Sequence, residues 1–172
     1  KDLILYTIGQ IGVDGALYAA MQFSGEAIDE LSMEGRFTMS NMAIEAGGKA
    51  GLFFADRKAV DYARNRSHRK PVVFEPDADA EYQAIHEYDI SKLEPQVALP
   101  HLPSNVRPVG QVGNVFLDQV VIGSCTNGRF EDLQTAADIL KGKKVNSNIR
   151  CIIIPGSQRV YLDALHAGYI ET

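Results

Sequence analysis

The segment that most constrains the fold contains a strand, a turn and a helix in direct succession. An apolar run that stops at Gly123 predicts a buried strand over 117–123, and the polar residues after it predict a tight loop carrying Cys125. A helix over 129–141 is expected to follow, because apolar residues recur there at the spacing of one helical face. These residues are Leu133, Ala136, Ala137 and Leu140.

Cys125 would then lie at the carboxyl end of a strand and beside a helix N-terminus. Free backbone N–H groups and the positive end of the helix dipole favour a thiolate at such a place. A thiolate serves as a metal ligand or as a nucleophile, and both roles are open for Cys125. The alternative is a small residue packed at a strand end, but the surrounding Gly, Ser, Thr and Asn residues favour a functional loop.

Strands and helices alternate through the second half of the chain. A strand over 149–154 and a helix over 157–167 repeat the order found around Cys125. Such alternation predicts an α/β fold in which a mixed or parallel sheet carries helices on both faces.

The first half combines the same kinds of element in a less regular order. Gly47 and Gly48 indicate the end of its longest helix. The predicted elements are helices over 2–10, 25–31 and 34–46, strands over 16–23 and 50–54, a helix capped by Asp56 and ending near Arg66, and an edge strand over 82–90.

Prolines divide the chain near its middle. Four of the seven fall within 95–113, which predicts an extended connector or a pair of irregular edge segments. We therefore expect an α/β domain over 1–94 and, over 114–172, the first half of the α/β domain that carries the cysteine loop. Because the chain opens on Lys1 and both ends fall in helical patterns, we also expect an internal piece of a longer protein, truncated at both ends.

Composition argues against several classes of function. The net charge is −5 with acidic and basic residues interspersed, which gives no electrostatic case for binding nucleic acid or an anionic membrane. Two cysteines without a disulfide spacing suit a reducing cytoplasm, and no apolar run approaches the length that spans a bilayer. We expect a cytoplasmic protein that binds neither nucleic acid nor membrane.

Four motifs, in order along the chain, resemble segments of the aconitase superfamily of iron–sulfur hydro-lyases. They are residues 31–36 with 41–47, residues 100–106, the Gly-Ser-Cys-Thr-Asn run at 123–127, and the Ile-Pro-Gly-Ser run at 154–157. The resemblance covers nearly the whole chain and is greatest to the isopropylmalate dehydratase large subunits and the homoaconitases. It implies an aconitase-like α/β fold.

The resemblance also implies an activity. The parent enzyme would isomerise 2- and 3-isopropylmalate by dehydration and rehydration in leucine biosynthesis, and a homoaconitase or aconitase is the alternative with the same mechanism. The implied partners are a hydroxy-di- or tricarboxylic acid and a small subunit or swivelling domain. Homocitrate and citrate remain alternatives to isopropylmalate as the substrate.

Members of the superfamily hold a [4Fe-4S] cluster through three cysteines, of which two lie in a Cys-Gly-Pro-Cys loop. This chain has two cysteines in all and no such loop. The resemblance assigns the cluster to Cys125, whereas Cys151 lies in an apolar run and is interpreted as a packing residue. We therefore expect the isolated chain to lack the cluster and to be inactive.

Four further residues are candidates for the same site. The resemblance places Asn41 and Glu45 in the cluster pocket, and their spacing of four puts both on one helix face, where an amide and a carboxylate could order a water molecule and exchange its proton. Without the resemblance, a solvated helix face explains the pair. Thr126 and Asn127 are implied to hydrogen-bond the cluster, although ordinary loop and cap chemistry explains them equally well.

Other polar residues have a structural interpretation at least as strong as a functional one. Glu34 and Arg36 are expected to form a local ion pair at the surface. Arg129 could hold a carboxylate or simply begin a helix, and the turn at 155–158 could bind an anion or simply reverse the chain. The histidines are scattered and match no metal spacing.

Two other classes of function stay open. Cys125 could be the nucleophile of a thiol-dependent transferase or hydrolase, although no histidine lies near it in sequence to act as the base. The chain could also be a non-catalytic structural or partner-binding module built on the same fold.

Overall fold

Helices and strands are mixed along the whole length described, as the α/β prediction required. The computed structural model describes residues 1–171, which form two units, one over Lys1–Gln111 and one from Val112 onward. Parallel strand pairs occur in both units and an antiparallel pair in the first. The predicted fold class is therefore confirmed, with a mixture of sheet types.

The core of the first unit is built around its first helix, α1 (Asp2–Ile11). Ile4, Thr7 and Ile8 follow the helical repeat and are buried on one face. The Thr7 hydroxyl donates a hydrogen bond to the Leu3 carbonyl oxygen at 2.9 Å, so its burial leaves no unpaired polar group. The remaining members of this core are Ala16, Ile28, Met39 and Ala46.

A parallel strand pair follows this helix, and Asn41 and Glu45 lie between its two strands in the sequence. The elements are β1 (Ala20–Phe23), α2 (Glu26–Glu30), α3 (Met33–Met42), a 3-10 helix (Ala43–Ala46) and β2 (Ala50–Phe53). The strands pair in register, with Phe23 opposite Phe53. The predicted strand over 16–23 is thus shorter, and its first half forms a turn.

The predicted helix over 34–46 changes its winding at Ala43. Ala43 and Ala46 are buried three residues apart, as the 3.0 residues per turn of a 3-10 helix require. Ile44 and Glu45 lie between them and are exposed. Gly47 ends the helix with a φ of 80°, in agreement with the predicted glycine stop.

Asp56 caps the next helix, α4 (Arg57–Arg64), as the sequence indicated. Its Oδ1 accepts a hydrogen bond from the Ala59 N–H at 3.0 Å. The helix ends two residues before the predicted end near Arg66.

The proline-rich stretch contains an antiparallel pair, β3 (Gln96–Ala98) and β4 (Val106–Pro108). The Gln96 N–H donates to Asp2 Oδ1 at 2.7 Å, which ties the first of these strands to the start of α1.

The prediction of an edge strand over 82–90 is wrong. These residues lie within the described part of the chain and form no strand. Side chains hold this segment instead: the Tyr88 ring packs edge-on against Tyr6 with centroids 5.5 Å apart, and Tyr82 Oη accepts from Gln22 Nε2 at 2.9 Å.

The second unit is a strand–helix–strand arrangement. Its elements are β5 (Gln119–Gly123), α5 (Ser124–Asn127), α6 (Phe130–Leu140), β6 (Arg150–Ile154) and α7 (Gln158–His166). The strands are parallel and pair Val120 with Cys151 and Gly123 with Ile154. Leu133 and Ala137 of α6 are buried, which confirms the predicted helix and its apolar face.

Among residues 1–171, no helix is both long enough and apolar enough to cross a bilayer.

Candidate functional site

Cys125 lies in α5, a single helical turn directly after β5, where the sequence predicted a tight polar loop. The thiol is exposed. Its Sγ lies 3.9 Å from the Thr126 hydroxyl oxygen. The structure therefore presents an accessible thiol at the carboxyl end of a parallel strand, as predicted.

The backbone reverses sharply to enter this turn. Gly123 has a φ of 137°, and a Cβ atom there would lie 2.0 Å from the Ile154 carbonyl oxygen, so only glycine fits. Ser124 follows with a φ of 72°, a conformation uncommon for residues other than glycine. The turn closes where the Gly128 N–H donates to the Ser124 carbonyl oxygen at 2.9 Å.

The residues after Cys125 connect the turn to α6. Thr126 is half-buried and Asn127 is exposed. Arg129 is half-buried, and its backbone N–H donates to Asp132 Oδ2 at 3.0 Å. Because Asp132 lies in the first turn of the helix, this bond stabilises the start of α6.

Cys151 differs from Cys125 in position and in exposure. It lies inside β6, opposite Val120, and is half-buried. Within residues 1–171, no three His, Cys, Asp or Glu side chains are placed to hold a metal ion. Among the described residues, Cys125 is therefore a single potential thiol ligand and does not belong to a preformed metal site.

Asn41 and Glu45 lie on consecutive helices of the first unit. Asn41 belongs to the last turn of α3 and Glu45 to the 3-10 helix, and both are exposed. The tighter winding rotates Glu45 relative to Asn41 from the alignment that a continuous α-helix would give. The Ser40 hydroxyl donates to the Gly51 carbonyl oxygen at 2.8 Å and so fixes this end of α3 to β2.

The candidate residues thus form two groups. Asn41 and Glu45 belong to the first unit, whereas Cys125, Thr126 and Asn127 are adjacent in the second.

Arg36 is buried, and the predicted surface role is wrong. Only 3% of the residue is exposed, and its Nη2 donates to Asp56 Oδ2 at 2.6 Å and to the Asp29 carbonyl oxygen at 3.2 Å. The hydrogen bond from Arg36 is the main reason that the pKa of Asp56 lies below its ordinary value of 3.8. No local sequence pattern indicated this contact, because its partners are 20 positions apart.

The turn at 155–158 has a structural role in the second unit. The Ser157 hydroxyl oxygen accepts a hydrogen bond from the Val160 N–H at 3.2 Å and caps α7. Gly156 contacts the end of the Cys125 turn, where its N–H donates to the Gly128 carbonyl oxygen at 2.7 Å.

Comparison with known proteins gives matches over the whole chain. The model of the Aconitase family (aconitate hydratase) matches residues 1–116 and 110–172. The chain is 62% identical over 172 residues to the 3-isopropylmalate dehydratase large subunit of Moorella thermoacetica. It is 60% identical over 171 residues to the proteins of the same name from Heliobacterium modesticaldum and Halothermothrix orenii.

These alignments cover 99 or 100% of the chain but 41% of each relative, so the chain spans about two fifths of the length of the curated relatives it matches. The family model matches both halves of the chain, and this chain therefore belongs to the aconitase family.

Proposed function

We propose that this chain contributes to a hydro-lyase that isomerises 2- and 3-isopropylmalate by dehydration and rehydration in leucine biosynthesis. The observation that carries the proposal is the 62% identity, over the whole chain, to a 3-isopropylmalate dehydratase large subunit. Because the chain spans 41% of that relative, we propose that it supplies part of the active site and is inactive alone.

The residues present fit one ligand position of an iron–sulfur cluster. The Cys125 thiol is exposed, whereas Cys151 is half-buried within β6. Thiolates are the usual protein ligands of such clusters. We therefore propose that Cys125 supplies one of the ligands of a [4Fe-4S] cluster and that the others come from outside these residues. When bound, the cluster would supply a Lewis-acidic iron for the loss of water.

Thr126 and Asn127 would support this ligand through hydrogen bonds. The Thr126 hydroxyl lies 3.9 Å from the Cys125 sulfur, and the exposed Asn127 ends the same helical turn. Donors close to a ligating sulfur tune the electronic properties of the metal centre and steady its negative charge.

Glu45 and Asn41 would carry the proton transfer of the reaction. Removing water from a hydroxy acid needs a base for the proton on carbon and an acid for the departing hydroxyl. The Glu45 carboxylate can accept or return a proton at either oxygen, and the Asn41 amide can both donate to and accept from a water molecule. Both side chains are exposed and therefore open to a ligand.

We also propose the division of the chain suggested by its sequence. Residues 1–94 would form the α/β domain with Asn41 and Glu45, and residues 95–113 a connector whose β3 and β4 pack with that domain. Residues 114–172 would form the first half of the domain with Cys125. A small subunit or swivelling domain would complete the enzyme, in the cytoplasm. The large-subunit names of the relatives support a second subunit.

The test uses the complete large subunit, assembled with its small subunit under anaerobic conditions. Bound iron and the isomerisation of 2-isopropylmalate are measured for wild type, Cys125→Ala and Cys151→Ala. We expect Cys125→Ala to lose iron and activity and Cys151→Ala to keep both. Retention of iron and activity by Cys125→Ala would contradict the ligand role, and a wild-type enzyme inactive on isopropylmalate would contradict the substrate.

A further inference from the structure

The carboxyl ends of β5 and β6 are joined by a backbone contact between two glycines. The Gly156 N–H, in the turn after β6, donates to the carbonyl oxygen of Gly128, in the turn after β5, at 2.7 Å. Gly128 is buried. The turn that carries Cys125 is therefore bonded directly to the turn that begins α7.

This contact leaves no room for a side chain at position 128. A Cβ atom there would lie 2.5 Å from the carbonyl oxygens of Ile154 and Ser124 and 2.7 Å from the Gly156 nitrogen. All three are backbone atoms, and Ile154 is held in register by its pairing with Gly123. Gly128 has a φ of −106°, which other residues adopt freely, so the close approach alone requires glycine.

The same contact determines where the Cys125 turn lies. The Gly128 N–H donates to the Ser124 carbonyl oxygen, so these two residues close a turn with Cys125 inside it. The Cys125 side chain is exposed and cannot be positioned by burial. The distance of its backbone from the end of β6 is fixed by Gly128 and Gly156.

We propose that Gly128 and Gly156 are positioning residues for the Cys125 thiol. Their direct backbone contact sets the distance between the turn and the end of β6, and this distance places Cys125 at its ligand position. The inference rests on the proposed ligand role of Cys125. A side chain between the two backbones would displace the turn by a distance comparable to the tolerance of a preorganised site.

Gly128→Ala in the complete large subunit tests this, with Gly113→Ala as the matched control because a Cβ at Gly113 meets nothing within 4 Å. The first readout is the ratio of the alkylation rates of Cys125 and Cys151 in the iron-free protein. Mass spectrometry of the peptides that contain each cysteine measures the two rates. The second is the rate at which the assembled enzyme loses iron to a chelator. We expect Gly128→Ala to change the ratio about threefold or more and to speed iron loss, with both values unchanged in Gly113→Ala.

A milder variant separates positioning from failure to fold. A Cβ at Gly156 would lie 3.1 Å from the Gly128 carbonyl oxygen, so Gly156→Ala needs a smaller shift, and we expect smaller changes in both readouts. Circular dichroism checks that each variant is folded.

The inference is overturned if folded Gly128→Ala and Gly156→Ala keep either readout at the wild-type value. If Cys125→Ala itself retains iron, the ligand role fails, and the alkylation ratio alone then decides whether the glycines position the thiol.

Discussion

Arg36 and Asp56 form an ion pair in which the guanidinium is buried and the carboxylate also caps a helix. Arg36 Nη2 lies 2.6 Å from Asp56 Oδ2, while Asp56 Oδ1 accepts from the Ala59 N–H. The pair joins α3, which carries Asn41, to the start of α4. A single aspartate therefore stabilises one helix and anchors another.

Substitution of Asp56 is expected to separate these two roles. Asp56→Ala removes the cap and the charge that faces a buried guanidinium, and we expect it to lower the free energy of unfolding by about 2 kcal/mol. Asp56→Asn keeps a capping oxygen, so the loss is expected to be about 1 kcal/mol. Urea denaturation measures both values. Equal losses in the two variants would show that the cap contributes nothing.

The ion pair also predicts a dependence of stability on pH. The pKa of Asp56 is lower in the folded than in the unfolded state, chiefly through its hydrogen bond from Arg36, so its contribution is full above 3.8, the ordinary value. As the pH falls below that value and through the folded pKa, the unfolded state takes up the proton first and the contribution is lost. The difference in unfolding free energy between wild type and Asp56→Asn is therefore expected to be smaller at about pH 3 than at about pH 6, with the loss confined to the acidic end of this range. A constant difference would contradict this account.

The hydrogen bond between Ser40 and Gly51 predicts a smaller effect. Ser40→Ala removes a bond of 2.8 Å that fixes the end of α3 to β2, and we expect it to destabilise the protein by about 1 kcal/mol. Ser24→Ala is the control, because Ser24 is exposed, and its effect is expected to stay within about 0.5 kcal/mol. Thermal or urea unfolding compares them, and equal effects would argue against the Ser40 bond.

Glu45→Gln tests the proposed proton transfer in the complete enzyme. Glutamine keeps the size of the side chain but cannot exchange the proton, so kcat is expected to fall about 100-fold or more. Because Glu45 is exposed, stability is expected to be unchanged. Glu30→Gln, an exposed carboxylate on α2, serves as the control and is expected to keep wild-type kcat. Full activity in Glu45→Gln would remove Glu45 from the mechanism.

Sequence reasoning succeeded where the determinants are local. The spacing of Leu133 and Ala137 defines the buried face of α6, and Asp56 caps α4 from the position next to it. Gly47 ends its helix because it adopts a positive φ. Each of these signals lies within a few residues of the element that it controls.

Sequence reasoning failed where a conformation depends on residues that are far away in the sequence. The burial of Arg36 depends on Asp56, and the conformation of residues 82–90 depends on contacts with Tyr6 and Gln22. For the site, the exposed thiol at the end of a strand followed from the order of apolar and polar residues. The contact between Gly128 and Gly156 did not, since it joins two turns that meet only when the strands have paired.

The exposure of Cys125 has a practical consequence for the purified protein. A thiol open to solvent is the first to be oxidised in air, to a sulfenic acid and then to a disulfide with a second molecule, whereas half-buried Cys151 is shielded. Storage without reductant is therefore expected to give Cys125-linked dimers on a non-reducing gel, and dithiothreitol to reverse them. The position that opens the sulfur to a ligand also opens it to oxygen.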